Sequence, residues 1–169
     1  VFGRGGEEMT LLARHGIPFQ IVPGITAANA AACYAGIPLT HRDYAQSVRF
    51  LTGHTRDGKL PHRWEEFQSP QETLVFYMGL VGLPIICDQL QAYGRDPGTP
   101  VALVEKASTA EQRVIRGTLS TMNAVVEREQ PQPPTLIIIG DVVRLATDLA
   151  IYRLATGLAI YRLAIDLAI

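Results

Sequence analysis

The sequence predicts an α/β fold with a mixed sheet, and three observations carry that expectation. Short runs rich in Val, Ile and Leu recur along the chain and alternate with segments of helical pattern. Gly and Pro punctuate the ends of those segments. Apolar residues make up 47% of the 169 residues against 18% charged, which favours a packed core over general disorder.

Taken in order, Gly6 to Arg14 suits a helix. Glu7 and Glu8 would meet the positive end of its dipole, and Gly16 would end it. Phe19 to Val22, closed by Pro23 and Gly24, has the form of a buried strand running into a turn. Thr26 is placed to cap a second helix through Ala27 to Ala35, stopped by Gly36 and Pro38. Ile37 to Asp43 is polar, proline-bearing and linker-like. Strands are then expected at Ser47 to Thr52, Thr73 to Met78, Val101 to Val104, Arg113 to Thr118 and Leu136 to Ile139. Helices fit Leu83 to Tyr93, with Pro84 tolerated in the first turn, and Thr121 to Arg128. The segment Ala107 to Gln112 suggests a hairpin between neighbouring strands, hence a mixed sheet. His54 to Gln71 reads as a loop with one short helical turn.

The last part differs in kind. Leu145 to Arg153 recurs as Leu154 to Arg162, and in part as Leu163 to Ile169. A nine-residue repeat advances a helix by two and a half turns, so successive copies would face opposite sides. An odd repeat flips a strand as well. A low-complexity tail without chemistry is expected.

Fifteen basic and sixteen acidic side chains leave a net charge of -1, which gives no electrostatic case for nucleic acid or an anionic membrane. Asp148, Arg153, Arg162 and Asp166 spoil the tail as a membrane span. Cys33 and Cys87 are far apart and no CxxC occurs, so buried free thiols in a reducing compartment are expected, with no zinc site or disulfide framework. His54 and His62 have no ligand cluster around them, and no metal is expected. No Ser-His-Asp or paired-carboxylate pattern supports a hydrolase. No glycine fingerprint with a downstream acid supports a nicotinamide oxidoreductase.

Four motifs carry competing readings. Glu7 and Glu8 would repel a pyrophosphate from Gly3 to Gly6. That segment is either a turn presenting Arg4 to an anionic organic ligand, with Glu7 steadying the arginine or contacting the ligand, or an ordinary glycine turn before a helix. Around Val22 to Ala28, small residues let a ligand approach the backbone, and Thr26 adds a hydroxyl. Such a neutral cleft suits a nucleoside, and a plain helix cap fits equally well. Arg42 could grip a substrate carboxylate or pair with Asp43 on the surface. Met78 could line a cofactor cleft or fill the core.

Read together, these blocks resemble the tetrapyrrole methylase family. Val1 to Glu8, Val22 to Ala27 and Tyr34 to Asp43 come first. Phe50 to His54, Thr73 to Gly79, Pro100 to Glu105, Gln112 to Leu119 and Pro134 to Gly140 follow in the same order. The uroporphyrinogen-III C-methyltransferase branch is the nearest match, over residues 1 to about 144. The resemblance implies S-adenosylmethionine-dependent C-methylation of uroporphyrinogen III to precorrin-2, in sirohaem and cobalamin biosynthesis. It also implies a cytoplasmic homodimer without a metal, whose two α/β domains hold the methyl donor in the cleft between them. By the same resemblance Val1, Thr26, Ala27, Met78 and Ala107 fall at cofactor-contacting positions. Ala107 stands where many relatives carry Gly, and a backbone contact would survive that change. Arg4, Glu7 and Arg42 match positions for substrate binding or proton handling, Arg4 as a base or substrate contact.

The implied organisation is a remnant of an N-terminal α/β domain at 1–38, a C-terminal α/β domain at 39–144 and the repeated tail at 145–169. The family's opening glycine-rich loop and Gly-Gly-Asp are not in this sequence, and the chain opens on Val1 without an initiator Met. A fragment with negligible turnover is therefore expected. The alternatives are a non-catalytic remnant domain and a methylase of a later corrin intermediate.

Overall fold

The computed structural model describes residues 1–3, 5–54 and 59–146. The repeats from residue 147 onward, and Arg4, lie outside the described residues.

One five-stranded sheet organises the chain. Its strands are β1 (Ser47–Thr52), β2 (Glu72–Tyr77), β3 (Pro100–Glu105), β4 (Arg113–Thr118) and β5 (Thr135–Ile139), in the order β1-β2-β5-β3-β4. The β1–β2 pair is parallel, and the β2–β5, β5–β3 and β3–β4 pairs are antiparallel. The mixed sheet and the β3–β4 hairpin agree with the sequence reading. The three inner strands are covered on both faces, so β2 and β3 read as continuous apolar runs rather than alternating ones. The edge strands β1 and β4 retain exposed polar positions.

Alternation still sorts the side chains within each strand. Leu74, Phe76, Val101, Leu103, Ile137 and Ile139 point to one face, against α3 (Leu83–Ala92), α4 (Met122–Glu129) and the one-turn 3-10 helix Trp64–Phe67. Val75, Tyr77, Ala102, Val104, Leu136 and Ile138 point to the other face, against α2 (Ala27–Ala35) and the 3-10 helix Asp141–Leu145. Helix α2 meets the sheet through Ala28, Ala31 and Ala35, whose small side chains let its backbone lie close. Full burial of side chains the size of Ile137, Ile138 and Ile139 contributes about 1.5–3 kcal/mol each. The buried Arg95 ties the sheet to its cover by donating to the Phe67 and Glu72 carbonyls, at 2.9 and 2.6 Å. Its burial lowers the guanidinium pKa, which the charges of Glu72 and Asp141 oppose.

Two expectations need correction. Phe19 to Val22 forms no strand, and Val22 is 79% exposed. No strand pairs with this segment among the described residues, and an apolar run without a ladder partner has nothing to hold it extended. Helix α1 (Gly5–Arg14), ended by Gly16 at φ 64°, likewise buries no residue. The thiols also differ from expectation. Cys87 is buried in α3, where desolvation and then Asp88 push its pKa up to about 12, but Cys33 on α2 is exposed.

Candidate functional site

Beyond Tyr77, strand β2 does not simply stop. The Gly53 amide donates to the Tyr77 carbonyl at 2.6 Å, drawing the end of β1 against the start of the next loop. A Cβ on Gly53 would lie 2.2 Å from the Gly79 Cα, so only glycine allows this approach. Met78, between them, sits at φ 55°, a conformation that non-glycine residues adopt rarely and at some energetic cost. The turn leaves the Met78 side chain half exposed at the mouth of a cleft.

Helix α2 forms the facing wall. Thr26 holds the N-cap position, with extended backbone at φ -71° and ψ 148°, but its side chain makes no cap bond. Its Oγ1 lies 2.6 Å from the Tyr77 hydroxyl, which also accepts from the Ala28 amide at 3.0 Å. A strand tyrosine thus satisfies one of the amides that a helix start leaves open. The third wall is the β3–β4 hairpin, where Ala107 stands between Lys106 (φ 46°) and Ser108 (φ 64°). Ala107 does not itself have positive φ, so its methyl group is accommodated without backbone strain. Below it, the buried Glu105 carboxylate accepts from Arg113 Nε at 2.7 Å and from the Gln132 amide at 3.2 Å. Those bonds hold the Pro133–Pro134 segment as a floor.

The open cleft has a volume of about 530 Å³, within the range of small-ligand sites. Ala27, Ala31, Met78, Val104, Ala107 and Pro134 are among its lining residues. Among the described residues no carboxylate, histidine, lysine or arginine lines it. Its polar groups are the hydroxyls of Tyr77 and Thr135 and backbone, with Thr26 Oγ1 bonded to the first of these. At the hairpin tip Lys106 Nζ and Glu111 Oε2 form a short ion pair. The hydrogen bond to Lys106, and then its charge, hold the Glu111 carboxyl below its ordinary value, while the same bond and charge raise Lys106.

Of the residues singled out from sequence, Ala27, Met78 and Ala107 meet around this one cavity, and Thr26 adjoins it through Tyr77. Val1 is exposed and does not line it, although the neighbouring Phe2 ring packs 5.2 Å from Tyr77. Glu7 is exposed in the first turn of α1. Arg42 is exposed in the turn after His41 and is not among the lining residues. Asp43 approaches His41 Nδ1, at 3.8 Å, rather than Arg42. Sequence reasoning missed Tyr77, Glu105 and the two prolines. Tyr77 adjoins the singled-out Met78 but reads as an ordinary strand aromatic. Among the described residues no group of His, Cys, Asp and Glu could hold a metal, and no helix is long and apolar enough to cross a membrane.

Comparison with known proteins now bears on this geometry. Residues 1–123 match the family of Tetrapyrrole (Corrin/Porphyrin) Methylases. Siroheme synthase of Pseudomonas aeruginosa (strain PAO1) is 59% identical over 150 residues, covering 89% of this chain and 32% of that protein. Siroheme synthase of Azotobacter vinelandii is 61% identical over the same 150-residue length and coverage. The chain therefore spans about a third of these relatives. Uroporphyrin-III C-methyl transferase from Thermus thermophilus, complexed with S-adenyl homocysteine, is 39% identical with a TM-score of 0.71. That match covers 86% of this chain and 63% of the other. With sequence and fold in agreement, the chain belongs to the tetrapyrrole methylase family.

Proposed function

We propose that this chain provides the S-adenosylmethionine site of a uroporphyrinogen-III C-methyltransferase. The observation that carries the reading is the meeting of Ala27, Met78 and Ala107, from three separate stretches, around one apolar cavity with hydroxyls at its edge. The cavity fits the donor by its chemistry. Flat apolar walls suit an adenine ring and a thioether, and hydroxyls and backbone suit a ribose. The Thermus thermophilus relative holding S-adenyl homocysteine supports the same ligand class.

When bound, the donor supplies an electrophilic methyl group on a sulfonium. The chain's own residues then have binding and orienting roles. Met78 and Ala107 exclude water from opposite walls, and the α2 start fixes one end of the ligand. Arg42, exposed and outside the cavity, is proposed to meet the carboxylates of the tetrapyrrole rather than the donor. Arg4 and Glu7 belong to the same substrate-facing proposal. Among the described residues the cavity lining includes no carboxylate or histidine to accept the ring proton, so this chain alone is expected to bind the donor but to turn over negligibly. The higher identity to the uroporphyrin-III enzyme, 39%, against 24% for cobalt precorrin-4 methyltransferase, favours the early substrate. A cytoplasmic homodimer, with domains at 1–38 and 39–144, belongs to the same proposal.

Equilibrium calorimetry of the full chain with S-adenosylhomocysteine tests it. Saturable binding that Met78→Asp abolishes is expected. A flat titration with a folded protein would overturn the reading.

A further inference from the structure

We infer that Tyr77 is a positioning residue for this cavity, acting through the start of α2 and through Thr26; the inference rests on the methyl-donor reading above. Thr26 sits where a helix cap belongs and yet does not cap its helix. The Tyr77 hydroxyl accepts from the Ala28 amide instead, and bonds Thr26 Oγ1 as well. Ala28 is fully buried, so its amide has no ready substitute in water.

The proton count gives this arrangement a functional consequence. Tyr77 and Thr26 own one hydroxyl proton each, and their mutual bond uses one of the two. If Tyr77 donates to Thr26, the threonine proton is left over; if Thr26 donates, the tyrosine proton is. Either way one O–H donor remains for an acceptor atom of a ligand, such as a ribose oxygen or a ring nitrogen. The tyrosine ring is itself fixed. Phe2 packs on it at 5.2 Å, Phe50 meets it edge-on at 6.0 Å, and it is 9% exposed. The hydroxyl therefore stands on a rigid strand while the helix start and the threonine are set by it. Met78 follows Tyr77 directly, so one residue spaces two walls of the cleft.

The experiment is a double-mutant cycle in the full chain, with Tyr77→Phe, Thr26→Val and the pair, read by calorimetry with S-adenosylhomocysteine and by thermal melting. Tyr77→Phe keeps the ring and its packing. The expected result is a loss of affinity of about ten-fold or more in Tyr77→Phe, with the double variant no weaker than the worse single. Thr26→Ser should retain near-parental affinity. A merely structural role predicts losses that track the melting temperature and add between the two sites. Tyr77→Phe binding as tightly as the parent, or additive losses, overturns the inference and leaves the donor site standing. A parent chain that does not bind removes both. Should Tyr77→Phe fail to fold, Thr26→Val decides: it breaks the same bond from the helix side, and undiminished affinity there overturns the inference.

Discussion

The sheet and the first twenty-five residues have similar apolar vocabularies and opposite fates. In the sheet, Phe76, Ile137 and Ile138 are wholly buried, packed from both sides by helices. In the N-terminal segment, Leu11, Ile17, Phe19, Ile21, Val22 and Ile25 are all exposed, and α1 buries nothing. An apolar side chain stabilises only through the surface it removes from water, and that depends on a partner. Among the described residues of this segment, Phe2 packs on Tyr77, while α1 contributes no buried side chain. The contrast teaches that local pattern marks a residue for burial but does not bury it.

The largest effects should come from the two halves of that contrast. Phe76→Ala, at a wholly buried β2 position, is expected to lower the unfolding free energy by about 3–5 kcal/mol. Phe19→Ala, at a 45% exposed position, should stay within about 0.5 kcal/mol. Urea denaturation of both variants measures the difference, and equal losses would mean that the N-terminal segment is packed after all.

Glycines give a second pair. Gly53→Ala drives a Cβ into the Gly79 backbone and should cost about 1–3 kcal/mol while displacing Met78. Gly24→Ala meets nothing within 4 Å and should be close to neutral. Similar melting temperatures for the two variants would contradict the close approach at the cleft.

Limited trypsin digestion sharpens the comparison without any substitution. Cleavage after Arg14, at the exposed end of α1, should precede any cut at Arg95, which is 3% exposed and bonded to two carbonyls. Mass spectrometry of early products distinguishes the order. Early cleavage at Arg95 would reverse the assignment of the stable region.

The smallest effect lies at the hairpin beside Ala107. Glu111 has its pKa lowered in the folded chain, so its contribution is present above its ordinary value of 4.5 and is lost as pH falls through the depressed one. Lys106 has its pKa raised, so its contribution is present below its ordinary value of 10.5 and is lost as pH rises through the elevated one. Both groups face solvent, and the response should be confined to the tip. The amide-exchange protection factors of Ser108 to Gln112, taken relative to the intrinsic rate at each pH, are expected to fall in acid while those of β3 do not. A uniform change across the sheet would refute this local origin.

Much of the fold was legible in the sequence. The five strand positions were readable to within a residue or so; for the inner three this is because strands covered on both faces demand unbroken runs such as Leu136 to Ile139. The failure at Phe19 to Val22 has the converse cause: pattern cannot say whether a ladder partner exists. At the site, Ala27, Met78 and Ala107 were found through family resemblance and meet in space, but Val1 and Arg42 do not join them at the cavity. Tyr77 stayed hidden because its ring behaves as core and only its hydroxyl has a site-shaping role.

By itself the sequence determined where the chain turns, which stretches have the pattern of a strand and which family the blocks belong to, since these follow from short-range pattern and from residues in fixed order. Only the tertiary structure decided which apolar residues are buried, that β5 inserts between β2 and β3, and that a tyrosine from β2 caps α2 in place of Thr26. Those outcomes depend on contacts between residues far apart along the chain, such as the Tyr77 hydroxyl and the Ala28 amide, and no local spacing encodes them.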